Sequence, residues 1–167
     1  MNAKHLSTLA MLTLLAACST TPPKKPAPKP RPGISLAGLQ ADGAGREVLM
    51  VTLGLLGNDY KFGGTNPEAG LDCSGMAGYI YRNALGVELP RTAAQIAEAG
   101  RSISMNQLRV GDFVFFNTMN RRYSHMGIFI GDGKFVHAPR TNSQIRVERL
   151  DNPWFMSRFD GARTLFN

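Results

Sequence analysis

A proline-rich segment near the N-terminus limits which part of this chain can fold. Six of the ten prolines lie in residues 22–32, where they alternate with lysine, alanine and arginine. Such a segment cannot bury a core, and it favours an extended polyproline II conformation that would reach roughly 34 Å. We therefore expect residues 42–167 to form one domain, and residues 18–41 to be a linker that precedes it.

The first seventeen residues are typical of an export signal. Lys4 precedes an apolar run over residues 6–17, which is shorter than the roughly twenty residues needed to span a bilayer. The run ends in Leu-Ala-Ala-Cys, which resembles the lipobox of bacterial lipoproteins, in which the cysteine is lipidated after cleavage. We therefore expect residues 1–17 to be removed and Cys18 to anchor the protein to a membrane. Cleavage of an ordinary secretory signal is the alternative.

The residue after this cysteine bears on the compartment. By resemblance to Gram-negative lipoproteins, Ser19 favours the outer membrane, with the domain on its periplasmic face.

The distribution of charge argues against nucleic acid as a partner. The formal net charge is +7, but residues 1–41 hold five basic residues and no acidic one. This leaves 14 basic and 12 acidic residues for the domain, which is close to balanced. A nucleic-acid surface needs its positive charge on the folded part of the chain.

Helix signals come before strand signals in the domain. An apolar helical stretch runs from Arg46 to Leu56, Asp72 and Thr92 are good N-caps, and Gly86 is a good helix stop. The strand-like runs follow, at residues 113–116, 126–130, 134–138 and 145–149. This order predicts an α+β fold with an antiparallel sheet, and not a doubly wound parallel sheet.

Cys73 is the first candidate for chemistry. If Cys18 is lipidated, Cys73 is the one free thiol left in an exported protein. With Asp72 as N-cap, Cys73 begins a helix, where free N–H groups and the helix dipole lower a thiol pKa and hold an oxyanion. On residue type alone, a small buried apolar residue is the simpler interpretation.

A nucleophilic thiol needs a base, and the domain has two histidines, His125 and His137, on either side of a predicted hairpin. A two-residue Asp132-Gly133 loop would pair Ile128 with His137 and put the histidines on opposite faces. A three-residue loop from Gly131 to Gly133, with Gly133 left-handed, pairs Ile128 with Val136 and puts both imidazoles on one face. We favour the second register because it also matches apolar residues with apolar residues.

A zinc site formed by one thiolate and two imidazoles is a competing interpretation. The spacings of 52 and 12 residues lack the short ligand pair that zinc sites use, so we expect no metal.

Six motifs occur in order along the chain, and together they resemble the NlpC family of papain-like cell-wall cysteine peptidases. The motifs are Tyr60-Lys61-Phe62-Gly63-Gly64, Asp72-Cys73-Ser74-Gly75, Leu89-Pro90-Arg91-Thr92 with Gln95, Gly111-Asp112-Phe113-Val114-Phe115-Phe116, His125-Met126-Gly127-Ile128 and His137-Ala138-Pro139. The resemblance covers residues 44–166. It implies a papain-like fold, with the nucleophile helix packed on an antiparallel β-sheet, and hydrolysis of amide bonds in peptidoglycan stem peptides without metal or cofactor.

The resemblance also implies residue roles. Cys73 is the nucleophile, His125 the base and His137 the residue that orients the base, while Tyr60 lies near the oxyanion site. Asp72 and Ser74 belong to the nucleophile motif and are candidates for the oxyanion or substrate region. Arginines near these motifs could meet stem-peptide carboxylates: Arg91, Arg121, Arg122 and Arg140. The sequence departs from the family pattern at four positions that affect pocket shape: Asp59, Phe62, Met76 and Met126.

These observations predict a monomeric, lipid-anchored peptidoglycan endopeptidase that uses a Cys-His-His mechanism. The alternative is a catalytically silent cell-wall-binding or adaptor lipoprotein on the same fold. A third interpretation is acyl or amide transfer by the same thiol, since water is one of several acceptors for a thioester. The motifs leave open which peptidoglycan bond is cut.

Overall fold

The structure is a computed structural model, and it describes residues 43–166. The predicted signal sequence and linker, with Cys18, lie outside the described residues, so their assignment stays a prediction. The described part contains all but the first and last residue of the predicted domain. Within it, every helix is too short or too polar to cross a membrane.

Four α-helices form in the described residues, and the predicted caps are confirmed. Asp72 accepts a hydrogen bond from the N–H of Gly75 at 2.7 Å, Gly86 is left-handed with φ 68°, and Thr92 begins a capping box. The first helix ends before the predicted Leu56, because the N–H groups that follow it reach back only three residues. The helices are α1 (Gly43–Gly54), α2 (Cys73–Leu85), α3 (Ala93–Ala99) and α4 (Pro153–Met156).

The strands of the described part form a small hairpin and one six-stranded sheet. They are β1 (Thr65–Asn66), β2 (Gly70–Leu71), β3 (Arg101–Ile103), β4 (Phe113–Phe116), β5 (His125–Gly131), β6 (Lys134–His137), β7 (Arg146–Arg149) and β8 (Phe159–Thr164). The large sheet has the order β3-β8-β4-β5-β6-β7, and every neighbouring pair in it is antiparallel. The predicted α+β class with an antiparallel sheet is therefore confirmed.

The sheet buries both of its faces. On one face, Ile128 and its neighbours pack with Met76 and Ile80 of α2 in the larger core. On the other face, a smaller core contains Phe116 and Phe135 together with residues around α4. Because successive side chains of a strand point to opposite faces, His125 and His137 lie on the face of the smaller core, at one end of their strands.

The β5–β6 hairpin has the predicted register but a different turn. Ile128 pairs with Val136 and Phe129 with Phe135, as expected for histidines on one face. The three-residue loop is wrong, however, because Gly131 pairs with Lys134 and a two-residue turn joins the strands. Asp132 and Gly133 both have positive φ, 51° and 63°, which is typical of a type I′ turn. The register shifts between Phe129 and Gly131, so the intervening Ile130 forms a bulge.

Candidate active site

Cys73 lies at the first turn of α2, and its sulfur is close to the beginning of β5. The backbone N–H groups of Met126, Ser74 and Cys73 lie close enough to the sulfur to lower the pKa of the thiol. Met126 follows His125 directly, so packing of α2 on the sheet brings Cys73 to the backbone at the start of β5, the strand that begins with His125. Taken as a whole residue, Cys73 is partly exposed.

The two histidines are hydrogen-bonded to each other. Nε2 of His125 lies 2.8 Å from Nδ1 of His137, and the ring centroids are 5.1 Å apart. Both side chains are buried, and the rings of Phe135 and Phe155 contact the His137 ring edge to face. Since Nε2 of His125 is occupied, its Nδ1 is the nitrogen left to exchange a proton with a thiol. Nε2 of His137 is buried without a partner among the described residues.

The resting site is electrically neutral at the thiol and the imidazoles. Burial, and then the charge of Asp72, raise the pKa of Cys73 to about 11 despite the three N–H groups at its sulfur. Burial, and then Arg146, lower the pKa of His125 to about 4, and burial also lowers the pKa of His137. The expected lowering of the thiol pKa is therefore wrong, because removal from water outweighs the helix N-terminus.

Asp72, the residue before Cys73, holds several neighbouring groups together through its carboxylate. Its carboxylate accepts hydrogen bonds from Ser74 Oγ at 3.1 Å and from the N–H of Gly63 at 3.0 Å, besides that of Gly75. Arg91 forms an ion pair with it at 2.6 Å and donates to Ser74 Oγ at 2.9 Å. Burial opposes ionisation of Asp72, but bonds from Arg91, Gly75 and Ser74 outweigh it and lower its pKa. The structure thus brings Asp72, Ser74 and Arg91 together beside Cys73.

Tyr60 reaches this group through a loop that docks on the sheet edge. Its N–H donates to the carbonyl of Ser143 at 2.8 Å, and its backbone forms a bridge with Leu71. Burial raises the pKa of the Tyr60 phenol, and the charges of Cys73 and Asp72 raise it further. Tyr60 therefore lies within electrostatic range of the candidate nucleophile.

The loop that follows Tyr60 packs tightly against the first turn of α2. The N–H of Asp72 donates to the carbonyl of Gly64 at 3.1 Å, and a Cβ added at Gly75 would overlap that carbonyl oxygen. This close packing of the Gly64 carbonyl against α2 therefore requires glycine at position 75.

The other predicted arginines differ in their surroundings. Arg122 forms an ion pair with Asp160 at 3.5 Å and stacks on Tyr123, whereas Arg121 and Arg140 are exposed. Sequence reasoning missed Arg146, which pairs across the sheet with His137 and acts electrostatically on both histidines. The register of β7 would have been the signal, but it depends on a loop whose path the sequence does not specify.

No three histidine, cysteine or carboxylate side chains within residues 43–166 are arranged to hold a metal ion. The arrangement offers a thiol at the start of α2, a neutral imidazole at the end of the strand that the thiol approaches, and a second imidazole hydrogen-bonded to the first. Such a set can carry out nucleophilic attack on a carbonyl carbon with proton transfer.

Comparison with protein families gives one match that spans most of the domain. The model of the NlpC/P60 family matches residues 57–164, which is more than half of the chain. The chain belongs to the NlpC/P60 family. The predicted family resemblance is therefore confirmed.

Two similar proteins come from Escherichia coli K12. One, named "Probable endopeptidase YafL", is 42% identical over 113 residues, covering 66% of this chain and 45% of the relative. The other, named "Murein DD-endopeptidase MepH", is 35% identical over 111 residues, covering 65% of this chain and 41% of the relative. The chain thus matches less than half the length of either relative.

Solved structures of the NlpC/P60 family share the fold. A family member from Bacillus cereus superimposes with a TM-score of 0.69 at 27% identity, covering 77% of this chain and 42% of the other. The NlpC/P60 domain of the peptidoglycan hydrolase SagA gives a TM-score of 0.64 at 29% identity, covering 72% of this chain and 98% of the domain. These matches support the predicted papain-like arrangement of helix and sheet.

Proposed function

We propose that this protein is a peptidoglycan endopeptidase that hydrolyses amide bonds in stem peptides or their crosslinks. The observation that carries the proposal is the 2.8 Å hydrogen bond between His125 Nε2 and His137 Nδ1, with Cys73 next to the start of β5. The relatives named as murein DD-endopeptidases supply the substrate class.

In the proposed acylation step, Cys73 loses its proton to Nδ1 of His125 and its sulfur attacks the carbonyl carbon of the scissile amide. The carbonyl oxygen becomes an oxyanion, and in this scheme the backbone N–H groups of Cys73 and Ser74, which lie beside the sulfur, bind it. When the tetrahedral intermediate collapses, the C–N bond breaks and His125 returns the proton to the leaving amine. The product at the enzyme is a thioester on Cys73.

In the deacylation step, His125 takes a proton from a water molecule, and the hydroxide attacks the thioester carbonyl. The C–S bond then breaks, the sulfur recovers the proton, and the acid product leaves.

His137 acts through His125 in this scheme and is a positioning residue. With Nδ1 accepting from Nε2–H of His125, it selects the tautomer whose Nδ1 can accept the thiol proton. Its buried position between aromatic rings holds that orientation.

The group around Asp72 is proposed to shape the region in which the substrate binds. Asp72 ties the N-terminus of α2 to Arg91 and Ser74, and Tyr60 lies within electrostatic range of Cys73. The Arg91 side chain is 45% exposed, so part of its guanidinium is open to a ligand.

We also propose that lipid on Cys18 anchors the enzyme to the outer membrane. The support is the Leu-Ala-Ala-Cys sequence and the following Ser19. Mass spectrometry of the N-terminal peptide from expressed full-length protein tests this, since a Cys18 without acyl groups would contradict it.

Purified muropeptides of known structure test the proposed activity directly. Incubation with the protein should give products whose masses identify the bond that is cut, and Cys73→Ala should give none. Relatives carry different names, such as "Gamma-DL-glutamyl hydrolase" from Bacillus subtilis, so the product masses also decide the specificity. Binding of muropeptides without any new product would favour the silent wall-binding alternative.

A further inference from the structure

Arg146 is a charged side chain next to the histidine pair that the proposed steps do not use. It is the first residue of β7 and lies directly opposite His137 on β6. Side chains opposite each other in an antiparallel pair share a face, with Cβ atoms roughly 5 Å apart. Arg146 therefore lies on the same face of the sheet as both imidazoles.

The position of β7 puts Arg146 between the histidine pair and the loop that carries Tyr60. The residue before it, Ile145, exchanges backbone hydrogen bonds with Gly57 and Asn58 at 2.9 and 2.8 Å. Two residues further along that loop is Tyr60. A substrate between Tyr60 and His125 would thus have Arg146 at the sheet edge beside it.

The guanidinium of Arg146 is held in place with one edge free. Its Nε donates to Glu148 Oε1 at 2.7 Å, and its Nη1 and Nη2 have no hydrogen-bond partner within residues 43–166. The Arg146 side chain is 31% exposed and that of Glu148 23% exposed. A guanidinium with both Nη groups available can bind a carboxylate through two parallel hydrogen bonds.

We propose that the Nη edge of Arg146 binds a free carboxylate of the substrate, so that this arginine determines specificity for acidic stem peptides. The inference rests on the proposed function. The positive charge of Arg146 also opposes formation of an imidazolium at His125. A carboxylate bound at Arg146 offsets that charge, so binding of the acidic substrate also favours proton transfer from Cys73 to His125.

Steady-state kinetics on two matched substrates test the inference. One is a crosslinked muropeptide with free carboxylates, and the other is the same muropeptide with those carboxylates converted to primary amides. For Arg146→Gln, KM for the acidic substrate should rise by about 10- to 100-fold. The kcat for the amidated substrate should stay equal or rise, because the charge that opposes the imidazolium is gone.

Three further variants separate binding from structure. Arg146→Lys should recover only part of the affinity, because lysine offers a point charge without the two-pronged geometry. Glu148→Gln keeps the guanidinium and should preserve the preference for the acidic substrate. Arg149→Gln is the matched control, because Arg149 lies on the same strand, faces the other side of the sheet and pairs with Asp151.

The results distinguish this inference from the proposed function. A parent protein that cleaves neither muropeptide refutes the proposed function. A parent that cleaves both with the same kcat/KM, or an Arg146→Gln variant that loses activity equally on both, refutes the role of Arg146 alone. The same ratio of losses in Glu148→Gln and Arg146→Gln would assign Arg146 a structural role and also overturn the inference.

Discussion

The buried histidine pair should make the fold sensitive to mild acid. His125 and His137 are 7% and 2% exposed, and burial lowers the pKa of both. The unfolded chain takes up a proton on each imidazole near pH 6.5, whereas the folded chain does so only at much lower pH. The contribution of the neutral histidine pair to the free energy of unfolding should therefore be complete above pH 6.5. This contribution should decrease as the pH falls from there toward 4.

The size of the effect follows from the pKa of His125. A difference of one pKa unit between the folded and unfolded states is worth about 1.4 kcal/mol. The pKa of His125 is lowered from 6.5 to about 4 in the folded state. Protonation of His125 should therefore reduce the free energy of unfolding by about 3 kcal/mol by pH 4. Domains of this size are stable by only about 5–15 kcal/mol, so the loss is a large part of the total.

Urea unfolding of the parent and of His125→Gln, at intervals between about pH 7.5 and about pH 4.5, measures this effect. The parent should lose stability steadily below pH 6.5, and the variant should have a shallower pH dependence whatever its stability at neutral pH. The pKa of Asp72 is lowered from 3.8, so its contribution is lost below this window. A parent whose free energy of unfolding is constant over the range would refute the reasoning, as would a variant with an unchanged slope.

The remaining predictions concern single residues. Cys73→Ala should abolish cleavage and leave the circular dichroism spectrum and Tm unchanged, and residual turnover would contradict its role as nucleophile. Replacement of His137 by Asn or Gln should retain part of kcat, replacement by Ala should lose far more, and His125→Asn should be nearly inactive; an active His137→Ala would contradict the orienting role. EDTA should leave activity unchanged while iodoacetamide removes it, and the alkylation rate of Cys73 should keep rising with pH toward about 11; fast alkylation near pH 6 would show a thiolate at rest. Asp72→Ala should lower the stability by about 2–4 kcal/mol in urea titrations, and Asp72→Asn by less because Asn still caps α2; equal losses would contradict the capping argument.

Local patterns predicted much of the fold, because each depends on neighbouring residues. Asp72, Thr92 and Gly86 act as helix caps through contacts within a few positions, and those contacts occur as expected. The face shared by His125 and His137 was also predictable, since pairing of apolar residues in the hairpin favours one register.

Features that depend on distant parts of the chain were not predictable in this way. Contact of Phe155 with His137 requires α4 to cover the second face of the sheet, and the position of Arg146 requires the register of β7. The pKa of Cys73 likewise depends on how fully the fold excludes water from its sulfur, which the position of Cys73 at a helix start does not reveal.

The bulge at Ile130 has a consequence for comparing relatives of this protein. The two histidines are twelve positions apart, and they share a face only because one residue is left out of the ladder. A homologue with one residue fewer could keep the same imidazole pair by forming a regular hairpin without the bulge. The number of residues between the histidines is thus a poor signature of the site. Alignments should allow a gap at the bulge rather than treat a spacing of eleven as loss of the pair.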